Sequence, residues 1–146
     1  MTDARTPETL AQHLFDALNE EDEDAFFDVF APDARIYNAG DGTDVETLWE
    51  AELAMFEAFP DHEHTTDDVV AGAESVAVRF TFSGTHEGDY DGIEPTGRTV
   101  SVSGMCTVDY DGDEITEWRV LPDNLDFYRQ LGAVESPYEH RYEAFR

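Results

Sequence analysis

Asp123 is the best sequence candidate for acid–base chemistry, and it directly follows residues 118–122 (Trp-Arg-Val-Leu-Pro). A carboxylate that leaves an apolar strand beside a tryptophan is expected to be desolvated. Desolvation raises a carboxyl pKa toward neutrality, and such a group can serve first as a base and then as an acid. The alternative is that Asp123 caps a helical turn beginning at Asn124. The residues taken alone favour the cap.

Tyr37 and Asn38 are the second pair of candidates, because they end a predicted short strand over residues 34–38. An asparagine there could donate a hydrogen bond to a substrate carbonyl and stabilise the negative charge of an enolate. Asn38 is nearly as well explained as a turn residue ahead of Gly40.

Three histidines and the single cysteine are residue types that can bind a metal or act as a nucleophile. His62 and His64 lie two apart and would share one face of a strand, but no third ligand is identifiable, so a solvated surface pair is expected and no metal site. His86 is expected to hold a long loop through hydrogen bonds, with direct contact to a ligand as the alternative. Cys106, within an alternating strand, is expected to be a buried, inert thiol.

Large apolar side chains could form the wall of a ligand pocket, although ordinary core packing explains most of them equally well. The candidates for substrate binding, together with His86, are Trp49, Phe56, Phe80, Phe82, Met105 and Trp118.

Helices are predicted in the first part of the chain. Residues 6–19 have helical apolar spacing, with Thr6 as N-cap and Pro7 at the first position. A second short helix follows the acidic run 20–24 and ends at residues 31–33. A third is predicted over 44–59, where Thr43 and Glu46 match a capping box. Its inward face is apolar except for Glu52.

Strands dominate from residue 62 onward. Residues 76–82 and 100–108 alternate apolar with polar side chains, and a further strand covers 115–121 after an Asp-Gly turn. A short helical turn is predicted over 125–131. Helices followed by antiparallel strands indicate an α+β fold, in which a curved sheet and its helices can enclose a pocket.

The charge of the chain is unusual, since eight basic against 35 acidic residues give a net charge of −27. All eight basic residues are arginine. Self-repulsion of this size is mostly screened at about 1 M salt, where the Debye length is about 3 Å, so adaptation to a very salty cytoplasm is the expected explanation. Binding to nucleic acid is disfavoured because phosphates would be repelled.

The length of 146 residues suits one domain, predicted over residues 1–134 with a tail over 135–146. No apolar stretch approaches the roughly 20 residues of a membrane span, and residues 1–5 do not read as a secretion signal. A cytoplasmic location is therefore expected, with no contact to membrane.

Six segments in the second half of the chain resemble the SnoaL-like polyketide cyclases, or ester cyclases, of the nuclear-transport-factor-2-like superfamily. They are residues 59–61, 76–80, 84–88, 92–98, 111–118 and Asp123 with 129–132. The resemblance implies a cone-shaped α+β barrel, in which a strongly bent antiparallel sheet covers the helices. Pro122 departs from the family pattern as an extra residue between Trp118 and Asp123.

The resemblance also implies a function. Members close polyketide rings by intramolecular aldol condensation without metal or cofactor, using an aspartate at the position that Asp123 matches, and they form dimers or tetramers. The expected function is acid–base chemistry on a small apolar carbonyl compound: aldol cyclisation, isomerisation or dehydration. A non-catalytic binding or carrier module is the alternative, favoured by the weak polar content of residues 99–108.

Overall fold

The structure is a computed structural model that describes residues 6–134. The predicted tail, 135–146, lies outside the described residues. In chain order the elements are α1 (Pro7–Glu20), α2 (Glu23–Asp28), β1 (Phe30–Asn38), β2 (Asp41–Thr43), α3 (Val45–Ala58), β3 (Glu63–Ala71), β4 (Ser75–Thr85), β5 (Thr99–Asp111), β6 (Glu114–Pro122) and α4 (Asn124–Gln130). No helix within residues 6–134 is long and apolar enough to cross a lipid bilayer.

Each helix begins at a side chain that accepts a hydrogen bond from an otherwise unpaired backbone N–H. Thr6 caps α1 as predicted, and Thr9 completes a capping box with it. The predicted cap of α3 was wrong by one residue, because Asp44 rather than Thr43 accepts the N–H of Thr47 at 2.7 Å. α2 also ends earlier than predicted, since Phe30 already pairs with Ile115 in the sheet.

The six strands form one sheet in the order β2-β1-β6-β5-β4-β3. Neighbours are antiparallel except β1 and β6, which run parallel. The two edge strands, β2 and β3, do not pair with each other, so the sheet is bent but unclosed. The α+β fold class is thus confirmed, with one parallel pair that the sequence did not reveal.

Alternation along the central strands divides the sheet into an inner and an outer face. On β4 and β5 the inner residues are buried and the residues between them are mostly half-buried or exposed. α1 and α4 pack on the inner face, where they contact β3 to β5 and β5 respectively. The buried side chains form two clusters, one around α1 and α3 and a smaller one around α4.

Candidate functional site

A cavity of about 280 Å³ lies between the helices and the inner face of the sheet. Its size is close to the lower end of the range for small-molecule sites. The lining draws on both buried clusters, and none of the arginines in the described part of the chain contributes to it. Seven phenylalanine, tyrosine and tryptophan side chains line it: Phe15, Phe80, Phe82, Tyr90, Trp118, Phe127 and Tyr128.

Glu52 is the acidic side chain of this cavity. It lies on the inward face of α3, one turn after Leu48 and one turn before Phe56. The residue as a whole is half-buried and borders the cavity, whereas its carboxyl group is buried. Desolvation by this burial raises the pKa of Glu52 to about 7. A carboxyl group that titrates near neutrality can both accept and return a proton.

His64, on the edge strand β3, is the second titratable group of the cavity. Its ring lies among Phe15, Phe80 and Phe82, with ring centroids 5.8, 5.9 and 5.2 Å away. Desolvation, together with the nearby His62, lowers the pKa of His64 to about 4. The imidazole is therefore neutral at physiological pH.

Two tyrosines from different segments also line the cavity, as do the polar residues Asn38, Ser103 and Asn124. Tyr90 belongs to the loop between β4 and β5, and its pKa is raised by burial and by the charge of Glu52. Tyr128, on α4, donates a hydrogen bond to Asp91 at 2.8 Å, and burial with this contact raises its pKa to about 12. Both phenols therefore keep their protons near neutral pH.

Asp123 occupies a different environment from the one expected. It is exposed, it does not line the cavity, and its Oδ1 accepts the N–H of Asp126 at 3.0 Å as the N-cap of α4. Asp123 therefore has the helix-capping position that the residues taken alone favour. Its neighbours Pro122 and Asn124 do line the cavity. The acid–base role of Asp123 remains a prediction.

Asn38 and Tyr37 point to opposite faces of β1, as alternation requires. Asn38 lines the cavity at an exposed position. Tyr37 does not line it, because its ring lies on the outer face under the guanidinium of Arg119, 4.1 Å from the ring centroid. Of these two candidates for stabilising a substrate oxygen, Asn38 borders the cavity and Tyr37 does not.

Of the predicted wall residues, Phe80, Phe82 and Trp118 line the cavity. Trp49 and Phe56 do not, since they pack against each other with ring centroids 5.7 Å apart inside the main cluster. Met105 does not either, because it lies on the outer face of β5 and is 56% exposed.

His86 is fully buried outside the cavity, where it has the structural position expected for it. Its Nδ1 accepts the backbone N–H of Thr96 at 3.1 Å, which closes the loop between β4 and β5. Contact with a ligand, the alternative, is not supported by this position.

The expectation of a solvated pair for His62 and His64 is wrong. His62 is 8% exposed and stacks on Phe56, with ring centroids 4.3 Å apart. No group of three or more metal-ligating side chains occurs within residues 6–134. Cys106 is buried, and burial raises its pKa to about 11, so the thiol stays protonated.

Sequence reasoning noted Glu52 without assigning it a role. The available signal was a single acid on an otherwise apolar helix face. Helical periodicity shows which face of α3 is buried, but it does not show whether that face packs against a filled core or borders a cavity. The role of Glu52 depends on this difference.

Comparisons with known proteins agree with this architecture. AclR from Streptomyces galilaeus, a proposed hydroxylase, has a TM-score of 0.84 at 22% identity over 94% of this chain and 88% of its own. IdmH from Streptomyces antibioticus, a proposed polyketide cyclase, has a TM-score of 0.81 at 27% identity over 88% and 99%. A proposed SnoaL-like polyketide cyclase from Jannaschia sp. CCS1 has a TM-score of 0.78 at 21% sequence identity. The match covers 92% of this chain and 100% of that protein.

The comparison of sequences gives the family directly. No functionally curated protein matches the chain significantly. The family model of the SnoaL-like polyketide cyclases matches residues 8–131, which include every helix and strand described above except the first residue of α1. The chain therefore belongs to the SnoaL-like polyketide cyclase family.

Proposed function

We propose that the chain is an enzyme that moves a proton on a small, uncharged carbonyl compound held in the cavity, with Glu52 as the acid–base group. The observation that carries this proposal is a carboxyl group with a pKa of about 7 bordering an aromatic cavity. Membership of a cyclase family supports the reaction class. The proposal requires no metal or cofactor.

The chemistry follows from the protonation state of Glu52. Near pH 7 about half of the molecules carry it as a carboxylate. That carboxylate takes a proton from the carbon next to the substrate carbonyl, and the C–H electron pair passes into an enolate. The enolate carbon then attacks a second carbonyl of the same molecule, or is protonated elsewhere. Glu52 returns its proton to the resulting oxygen or carbon, which restores the carboxylate.

The charge around the cavity favours an uncharged substrate. The chain carries a net charge of −27, and within residues 6–134 no arginine lines the cavity to pair with an anion. A carboxylate or phosphate group in the substrate would meet Glu52 and the negative field of the protein without a cationic partner. Aromatic rings instead offer apolar contact to a carbon skeleton.

The test is hydrogen–deuterium exchange at the α carbon of 2-tetralone, an aromatic ketone probe, followed by NMR in D₂O. The wild type should accelerate exchange, with a rate that rises with pH through a midpoint of about 7. Glu52→Gln should lower the rate about 10²–10⁴-fold, the usual contribution of positioned acid–base catalysis. Asp123→Asn is the matched carboxylate control and should retain the wild-type rate.

Other outcomes separate the alternatives. Loss of exchange in Asp123→Asn but not in Glu52→Gln would return the catalytic role to Asp123. A wild type that binds 2-tetralone without exchanging its protons faster than buffer would overturn the enzyme proposal in favour of a binding or carrier module. That alternative also requires Glu52→Gln to keep the affinity for the probe.

Self-association through the outer face of the sheet is the second part of the proposal. Met105 and Leu121 are opposite each other on β5 and β6 and are 56% and 65% exposed. Arg79 pairs with Met105 across the next strand, and Arg119 and Arg35 lie on the same face. In a chain of charge −27, this face combines exposed apolar side chains with arginines that pair with Asp68 and Glu117, and we propose it as the surface where two copies meet.

Sedimentation velocity at about 1 M salt, where charge repulsion is screened, tests this surface. Leu121→Asp should convert the oligomer to monomer. Leu53→Asp, at a 44% exposed apolar residue on α3 rather than on the sheet, is the matched control and should sediment like the wild type. A monomeric wild type, or an unchanged oligomer in Leu121→Asp, would refute the outer face as the interface.

A further inference from the structure

His64 is held at the cavity by an unusual backbone contact. The side chain of Asn19, at the end of α1, donates to the carbonyl oxygen of His64 at 2.9 Å and accepts its backbone N–H at 2.7 Å. β3 is an edge strand, so these groups would otherwise lack a partner on that side. The amide of Asn19 therefore takes the place of a neighbouring strand and fixes the backbone of this residue.

The ring of His64 is equally constrained. Phe82 is its cross-strand partner, and Phe15 and Phe80 contact it from α1 and β4. These contacts restrict the imidazole to one orientation beside the cavity that it lines. Such restriction of a polar group is what a preorganised site requires.

One ring nitrogen of His64 is buried without a partner. Nδ1 makes no hydrogen bond within residues 6–134 and is inaccessible to solvent. An unpaired buried N–H is rarer in proteins than an unpaired acceptor. The neutral ring should therefore carry its proton on Nε2, which leaves Nε2–H as the donor available to a ligand.

Building on the proposed function, we propose that His64 is a second catalytic residue, whose Nε2–H donates a hydrogen bond to the carbonyl oxygen of the bound substrate. When Glu52 removes the α proton, negative charge moves onto that oxygen and the hydrogen bond strengthens. No proton is transferred from His64, so the ring stays neutral throughout. A neutral imidazole is known to be a suitable electrophile for enolisation, and the low pKa of His64 keeps it in that state.

The first test uses 4-nitrophenol, whose phenolate imitates the enolate oxygen and absorbs visible light. The host is Glu52→Gln, which stands for the state in which Glu52 has already taken the proton. At a fixed pH the ratio of bound phenolate to bound phenol should fall about tenfold or more when His64→Phe is added, since a hydrogen bond to a charged group is lost. Adding His64→Gln, which retains an N–H donor, should restore part of the ratio.

The second test follows 2-tetralone exchange with Glu52 intact. His64→Phe should lower kcat about tenfold or more with little change in KM, and the midpoint of the pH profile should stay at about 7. His62→Phe, at a buried histidine that stacks on Phe56 outside the cavity, is the matched control and should leave kcat unchanged.

Nitrogen-15 NMR of the wild type covers the case in which His64→Phe does not fold. The ring should be neutral with its proton on Nε2, and the Nε2 signal should shift when 4-nitrophenol is added. Full exchange activity in His64→Phe, or an Nε2 signal that 4-nitrophenol leaves unmoved, would overturn the role of His64. The role of Glu52 would stand in that case, provided that Glu52→Gln is inactive.

Discussion

Glu52→Gln is expected to be more stable than the wild type above pH 7, by up to about 3 kcal/mol, and to match it below pH 4.5. In the folded protein the pKa of Glu52 is about 7, whereas in the unfolded chain it is near 4.5. Between these values the unfolded state binds fewer protons, so the free energy of unfolding of the wild type falls as pH rises. Glutamine cannot ionise and avoids this loss.

His64 has the opposite effect on stability in an overlapping range. Its pKa is lowered from 6.5 to about 4, so between these values the unfolded state binds more protons and stability falls as pH drops. In the wild type, Glu52 and His64 therefore change the free energy of unfolding in opposite directions between pH 4.5 and 6.5. In Glu52→Gln the pH dependence contributed by His64 is no longer offset. The free energy of unfolding of the variant should therefore fall more steeply on acidification than that of the wild type.

Urea unfolding at a series of pH values and constant high salt measures both effects. The quantity of interest is the difference between variant and wild type, because the many other carboxylates contribute equally to both. Glu57→Gln, on the exposed side of the same helix, is the matched control and should follow the wild type at every pH. A constant difference between Glu52→Gln and wild type from pH 4.5 to 7 would contradict the burial of the Glu52 carboxyl group.

The strands and the fold class could be predicted because buried and less buried residues alternate along the central strands. Val76, Val78 and Phe80 are buried and the residues between them are not, and the same period extends along most of β5. Burial of one face fixes the register, since a shift by one residue would expose the whole apolar set. The parallel pairing of β1 with β6 was not predictable, because it joins segments far apart in sequence.

The site was predicted less well, since local pattern does not say what lies opposite a side chain. Met105 was expected in the wall although its neighbours Gly104 and Cys106 already belonged to the inward series, so alternation alone excludes it. Asp123 fitted both a helix cap and a pocket acid. Only the path of the chain into α4 distinguishes them, and that path depends on tertiary packing.

Gly104→Ala is expected to reduce the cavity and to destabilise the protein by about 1–3 kcal/mol, the usual cost of overpacking. Gly104 faces Phe80 across β4 and β5. A Cβ at this position would overlap the Phe80 ring, with Cε2 only 2.9 Å away. The ring borders the cavity, and we expect it to relieve the overlap by moving into that space. The absence of one side chain on β5 therefore sets the space available to a ligand.

Thermal unfolding and binding of 2-tetralone test this relation together. Gly42→Ala on β2 is the matched control, because the nearest atom to its Cβ would be Tyr37 Cε1 at 3.5 Å, an ordinary contact. Adding Phe80→Leu to Gly104→Ala should recover both stability and binding, so the two changes should be strongly non-additive. Additive losses would mean that Gly104→Ala perturbs the backbone of β5 rather than the Phe80 ring. In that case Gly104 would not determine the position of the aromatic wall.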